Sequence, residues 1–334
     1  MIRSLFRPKV LLPALLGVSL LGALLAFGDV RHVGALLSTF HAPSIAAILL
    51  VLVAYETVQC AQWNLLLRAE GLHVRLRAGI FAYLVGDMAR ILPIGNYMEN
   101  YLLLREEGTD FGLSSAATTL SVLIEVAVCL TGLAILGLGS WTWVRPVIVV
   151  GLGVFLPVAW LTYKRHHRGA LPSWLARRRL VCKALDELHQ FRLGIAALLR
   201  PRVLAPAVTL GATYVLLGGT ALFLVARGLG IDQVSWPAVL TVYFFSVAFA
   251  LIFPLPIDLG VYEVSGVGAF FAIGVEKSDA VSSMLLLRVM VSGAALIIAL
   301  AAIGLLRDQV RAVLRERPSE SPKHELRADP GSDS

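Results

Sequence analysis

The sequence predicts an all-α, polytopic integral membrane protein built from two inverted repeats, each holding a broken, re-entrant helical hairpin. Three observations point there: apolar residues gathered into long blocks, basic residues distributed to one side, and a Leu-Pro-Ile break that occurs twice in corresponding places.

The 334 residues are 57% hydrophobic and 15% charged, with a mean hydropathy of +0.79, far from the balance of a soluble domain. The apolar excess falls into blocks of about 17 to 25 residues, the length of helix that crosses a hydrocarbon core. Alternating the loops puts 23 of the 29 Lys and Arg on one side: those up to Lys9, Arg68 to Arg77, Arg105, the ten from Lys164 to Arg202, and those from Arg307 onward. That is the positive-inside pattern, so both termini are expected in the cytoplasm of a bacterium, with the chain in its inner membrane. The net charge of +7 is accounted for in this way, and no nucleic-acid partner is expected. Cys60, Cys129 and Cys182 lack metal-ligand spacing, so neither a disulfide nor a metal site is expected, and no cofactor motif is present.

The first span is Val10 to Gly28, read as a retained helix because it is long for a signal peptide and no small-x-small cleavage site follows. Ser44 to Leu67 returns. Ala78 to Leu104 is apolar but interrupted by Asp87, Arg90, Pro93, Gly95, Asn96 and Glu99, which predicts two short helices in a hairpin re-entering from the cytoplasm. Leu113 to Gly139 crosses outward, Trp141 and Trp143 mark the outer interface, and Pro146 to Tyr163 returns. From Trp174 to Leu199 apolar residues at helical spacing alternate with arginines, predicting an amphipathic helix on the anionic inner leaflet; a plain connector with snorkelling arginines is the alternative. Val203 to Ala226 crosses outward. Pro237 to Phe253 and Tyr262 to Gly274 form the second broken hairpin, and Val281 to Leu306 returns. The expected layout is a transmembrane region over 1–306, with repeats at about 44–139 and 203–306 and a cytoplasmic linker at about 164–202. A charged, disordered tail follows over 307–334.

Leu92-Pro93-Ile94 precedes Glu99, and Leu255-Pro256-Ile257 precedes Glu263. A long span follows each, with Glu125 in the first and Arg288 in the second. Inverted repeats with short, Pro/Gly-interrupted segments point to a transporter-type binding site near the midplane. Ionisable groups there cost roughly 2.5 to 3.5 kcal/mol each on insertion scales, so they are normally paired and face the interior. Glu125 is expected to pair with Arg288, for transport or simply for packing. Asn96 with Glu99 fits a capping box, and Asp258 an N-cap. A half-helix start inside the membrane also suits a lipid phosphate, with Arg90 and Arg288 adding positive charge. The candidate translocation residues are therefore Arg90, Glu99, Glu125, Asp258, Glu263 and Arg288. Glu56, Gln59 and Gln62 share a stripe expected to hydrogen-bond between helices. No H-E-x-x-H, G-x-S-x-G or Walker-type loop is present, and no enzymatic activity is expected.

At the two hairpins the sequence resembles the transmembrane, flippase-like domain of lysylphosphatidylglycerol synthases and the standalone bacterial proteins that share it. Leu92-Pro93, Glu99, the Ser121 to Glu125 spacing, Pro256, Leu259-Gly260, Glu263 and Arg288 fit the family pattern. Met98 stands where the family has glycine, Leu102 and Val126 where it has arginines, and Ile257-Asp258 where it has a Gly-Gly pair. The resemblance implies a lipid translocator without its own synthase domain, acting on a membrane lipid with a phosphate headgroup. The alternative is a noncatalytic membrane partner of a lipid, hopanoid or envelope-glycan synthesis enzyme.

Overall fold

A computed structural model describes residue 40 and residues 42–89, 97–137, 153, 179–252 and 260–305. The expected spans Val10–Gly28 and, apart from Gly153, Pro146–Tyr163, with both proline breaks, Arg90, Asp258 and the tail, lie outside the described residues.

The described chain is helical throughout, with no strand among the described residues. Its helices run α1 (Ala42–Ala69), α2 (Leu76–Ala89), α3 (Met98–Glu107), α4 (Phe111–Gly137), α5 (Arg179–Leu198), α6 (Pro201–Gly228), α7 (Trp236–Ile252), α8 (Val261–Ala272) and α9 (Lys277–Leu305). Four of them, α1, α4, α6 and α9, are long and apolar enough to cross a membrane. The chain is a multi-pass membrane protein. Between the long helices lie short ones: α2 with 14 residues, α3 with 10, α7 with 17 and α8 with 12. At about 1.5 Å of rise per residue α2, α3 and α8 are too short to cross alone.

Local chemistry sets several of these boundaries. Gly108 ends α3 in the left-handed region, at φ 64°, where a side chain would be strained. Asp110 then caps α4, its Oδ1 accepting the Leu113 N–H at 3.1 Å. Pro201 opens α6, where its missing N–H leaves no intrahelical partner wanting. The expected cap of α3, Asn96, lies outside the described residues. Tyr97 occupies that N-cap position without a side-chain cap bond, and Glu99 is the second helical residue rather than the third. Its side chain is drawn instead into the polar cluster described below.

Both halves run long, short, short, long. Their helix packing corresponds as well: α2 lies on α3 and α7 on α8; α4 lies on α7 and α9 on α2; α4 lies on α6 and α9 on α1; and α1 lies on α6. Exchanging the halves turns this set of contacts into itself. Two apolar cores result. One, around Leu66, Leu67, Leu103 and Leu198, joins α1 to α5 with the start of α6; the other, around Tyr214, Leu222, Phe270 and Met284, joins α6 to α9 with α1 and α4. Glycines let these helices approach closely, Gly218 lying under the Tyr243 ring and Gly132 under Phe244. Leu50, Ile135 and Val289 point outward, as lipid-facing residues do. The amphipathic helix α5 puts Ile195 and Leu198 into the first core, so this part of its apolar face is covered by protein.

Candidate functional site

Polar side chains inside the bundle form two groups, one at each short-helix pair. In the first half, α1 contributes Glu56, Gln59, Gln62 and Trp63, all nearly inaccessible. Tyr83 on α2 donates its hydroxyl to Gln59 Oε1 at 2.8 Å, with Glu56 Oε2 at 3.4 Å. Gln62 Nε2 donates to the Ala207 carbonyl on α6 at 2.8 Å, while Ser121 on α4 donates to Gln62 Oε1 at 2.8 Å. The glutamine stripe therefore joins helices, as its spacing suggested. Deeper toward α3, Thr118 on α4 collects Trp63 Nε1 at 3.0 Å and Asn100 Nδ2 at 3.0 Å. Its hydroxyl reaches Glu99 Oε1 at 3.4 Å. Glu99 is 1% exposed and is packed so tightly on α2 that a Cβ at Gly86 would lie 2.8 Å from its backbone nitrogen.

In the second half, Glu263 occupies the corresponding first turn of α8 and is completely buried. Its Oε2 accepts the Gly260 N–H at 2.8 Å. Gly260, at φ 98°, is the N-cap, so the cap of α8 lies at Gly260 rather than at the expected Asp258. Glu263 Oε1 accepts no hydrogen bond; it faces Arg288 Nε on α9 at 3.6 Å. Arg288 was expected to pair with Glu125, and the structure places it beside Glu263. Helices α8 and α9 are neighbours in sequence and pack on one another, which brings Glu263 to the guanidinium.

Glu125 is not remote from this group. The Tyr262 hydroxyl lies within electrostatic range of Glu263, Arg288 and Glu125 together, and its ring meets Tyr243 edge-on with centroids 6.2 Å apart. Three of the six residues singled out from sequence thus act electrostatically on one tyrosine that the sequence reading passed over. Glu99 belongs to the first group, and Arg90 and Asp258 are outside the described residues. The hydroxyls and amides of Tyr83, Asn100, Thr118 and Trp63 were also missed. Their residue types are common in apolar helices, and only their meeting across helices makes them a network.

A buried carboxylate with one oxygen capping a helix and the other facing a part-exposed guanidinium is a polar centre inside an apolar bundle. It offers a cation to a phosphate and a carboxylate to a cationic group. Among the described residues no group of His, Cys, Asp and Glu has the makings of a metal site.

No curated protein matches the chain. The family model described as lysylphosphatidylglycerol synthase TM region matches residues 10–307, which takes in both short-helix pairs and every residue of the two polar groups. A membrane protein of this length and helix order, matched from its first apolar block to the end of its last helix, belongs to the lysylphosphatidylglycerol synthase TM region family.

Proposed function

We propose that the chain moves a membrane lipid between leaflets, passing its headgroup along the polar centres inside the bundle, without altering the lipid chemically. The observation that carries this reading is the Glu263–Arg288 pair: a fully buried carboxylate beside a guanidinium 28% exposed. A lipid headgroup crossing hydrocarbon needs partners for its charges, since an ionised group there is costly without them. Arg288 suits the phosphate, and Glu263 and Glu125 suit a cationic substituent. Membership of a family of lipid-synthase membrane regions agrees with such a substrate.

The two halves act in this reading as inverted repeats, with the two short-helix pairs as re-entrant hairpins facing the midplane from opposite sides. The chain sits in a bacterial inner membrane with both termini and residues 164–202 cytoplasmic, near the anionic leaflet surface. Cysteines introduced near Arg178 and near Ser278 should then label from opposite sides, and labelling of both from outside would exclude this topology.

Reconstitution into liposomes with fluorescent phospholipid analogues tests the activity. Faster leaflet exchange than in protein-free vesicles is expected, and slower than wild type for Arg288→Gln. Absence of exchange, together with capture of a lipid-synthesis enzyme from membranes, would replace translocation with an accessory role.

A further inference from the structure

A cavity of about 490 Å³ opens between α7 and α8, lined among others by Phe245, Phe249, Gly260, Val264, Gly268 and Ala272. Its shape follows from sequence spacing. Phe245 and Phe249 are one turn apart on α7 and stack, with centroids 5.7 Å apart and planes at 22°, making one wall. On α8, Val264, Gly268 and Ala272 recur every fourth residue and are exposed, making the other. The small side chains hold the groove open: a Cβ built on Gly268 meets nothing within 4 Å. The volume lies in the range of ligand pockets, roughly 300 to 1,000 Å³.

One end of this apolar groove lies beside a polar group. Gly260 lines it, and the Gly260 N–H is the group held by Glu263, whose second oxygen is buried without a hydrogen bond and faces Arg288. An apolar trough in a membrane-embedded helix pair, with a charged centre behind the Gly260 backbone at one end, fits an amphiphile.

We propose that the groove between α7 and α8 seats one acyl chain of the lipid whose headgroup lies at Glu263 and Arg288. This rests on the lipid-translocation reading and adds to it the place of the chain. An acyl chain gains no transfer free energy on leaving bilayer hydrocarbon for an equally apolar groove. The groove therefore orients the lipid rather than binding it tightly: the chain stays in an apolar surround while the headgroup occupies the one place that can partner its charge.

The test uses the full chain in phosphatidylglycerol and phosphatidylethanolamine vesicles carrying a phospholipid with a diazirine on one acyl chain. Photolabel is expected at Phe249, Val264 and Ala272. Gly268→Leu, whose Cβ has nothing within 4 Å and whose remaining carbons extend into the groove, should remove most of that label and slow leaflet exchange several-fold. Gly293→Leu on α9, also in open space, should keep both, and unchanged thermal stability of the two variants would show that neither result comes from unfolding. Label no denser in the groove than at Leu50 and Ile135, and indifferent to Gly268→Leu, overturns the proposal, as does a cysteine at position 264 cross-linking to residues 10–28 in place of lipid. Groove labelling without leaflet exchange would support the chain site and remove the transport reading; exchange without groove labelling would do the reverse.

Discussion

Glu263 Oε1 and Arg288 Nε stand 3.6 Å apart, the carboxylate fully buried and the guanidinium partly exposed. The unequal burial means that the two residues contribute unequally. Loss of the arginine strands a charge in the interior, whereas loss of the carboxylate leaves a cation that can turn toward its exposed side.

Arg288→Gln should therefore be the more damaging single change. Breaking a buried pair costs roughly 3 to 5 kcal/mol, and the partial exposure of Arg288 puts this case at the lower end. Glu263→Gln should cost less, since the amide oxygen still accepts the Gly260 N–H. Thermal unfolding in detergent measures both, and equal losses would contradict this ordering.

Double-mutant cycles should separate the two acidic residues near Tyr262. Glu263 and Arg288 are in contact, and their coupling should fall within about 0.5 to 3 kcal/mol. The coupling of Glu125 with Arg288 should be smaller, because Glu263 already faces the guanidinium at 3.6 Å. A larger Glu125–Arg288 coupling would reinstate the pairing that sequence alone suggested.

Two glycines predict opposite outcomes from the same substitution. Gly86→Ala drives a methyl group into the Glu99 side chain and backbone, and should cost about 1 to 3 kcal/mol by overpacking. Gly293→Ala meets nothing and should be neutral or stabilising by up to about 1 kcal/mol, from helix propensity. Folded yield and thermal midpoints distinguish them.

Glu70 follows the last residue of α1, and both its carboxylate oxygens are buried without hydrogen bonds. Gly194 of α5 presses on it, so that a Cβ there would lie 2.8 Å from Oε1. Burial raises its pKa from 4.5 to about 9. The folded state thus holds a proton that the unfolded chain releases near 4.5, and stability falls as pH rises through the window from there to about 9. Glu70→Gln should unfold a few degrees higher than wild type at pH 8 and nearly with it at pH 4. A wild-type midpoint no lower at pH 8 than at pH 5, after correction by the Gln variant, would contradict the buried neutral form.

The helices were legible where length and composition decide the outcome. Ser44–Leu67 became Ala42–Ala69, and the apolar stretch broken around Pro93 became two short helices. The burial of Glu99 and Glu263 was legible too, since an ionisable residue in an apolar block has few places to go. Azimuth was not. Spacing put Glu125 and Arg288 at corresponding places on α4 and α9 but did not single out Glu263 as a carboxylate facing the guanidinium. Glu70 escaped notice for a related reason: at the end of an apolar run it reads as an ordinary interfacial residue, and its burial comes from α5, more than a hundred residues away in the chain.

The packing of α1 on α6 has a further consequence. Of the helix pairs that correspond between halves, it alone maps onto itself, and it is tied by the Gln62–Ala207 hydrogen bond and by Tyr55 meeting Tyr214 edge-on at 5.6 Å. A change at any other contact of the set leaves a corresponding contact intact elsewhere in the bundle. A change along this seam has no spare, so substitutions at Gln62, Tyr55 or Tyr214 fall on both halves at once, and tolerance to mutation should be lowest along that line.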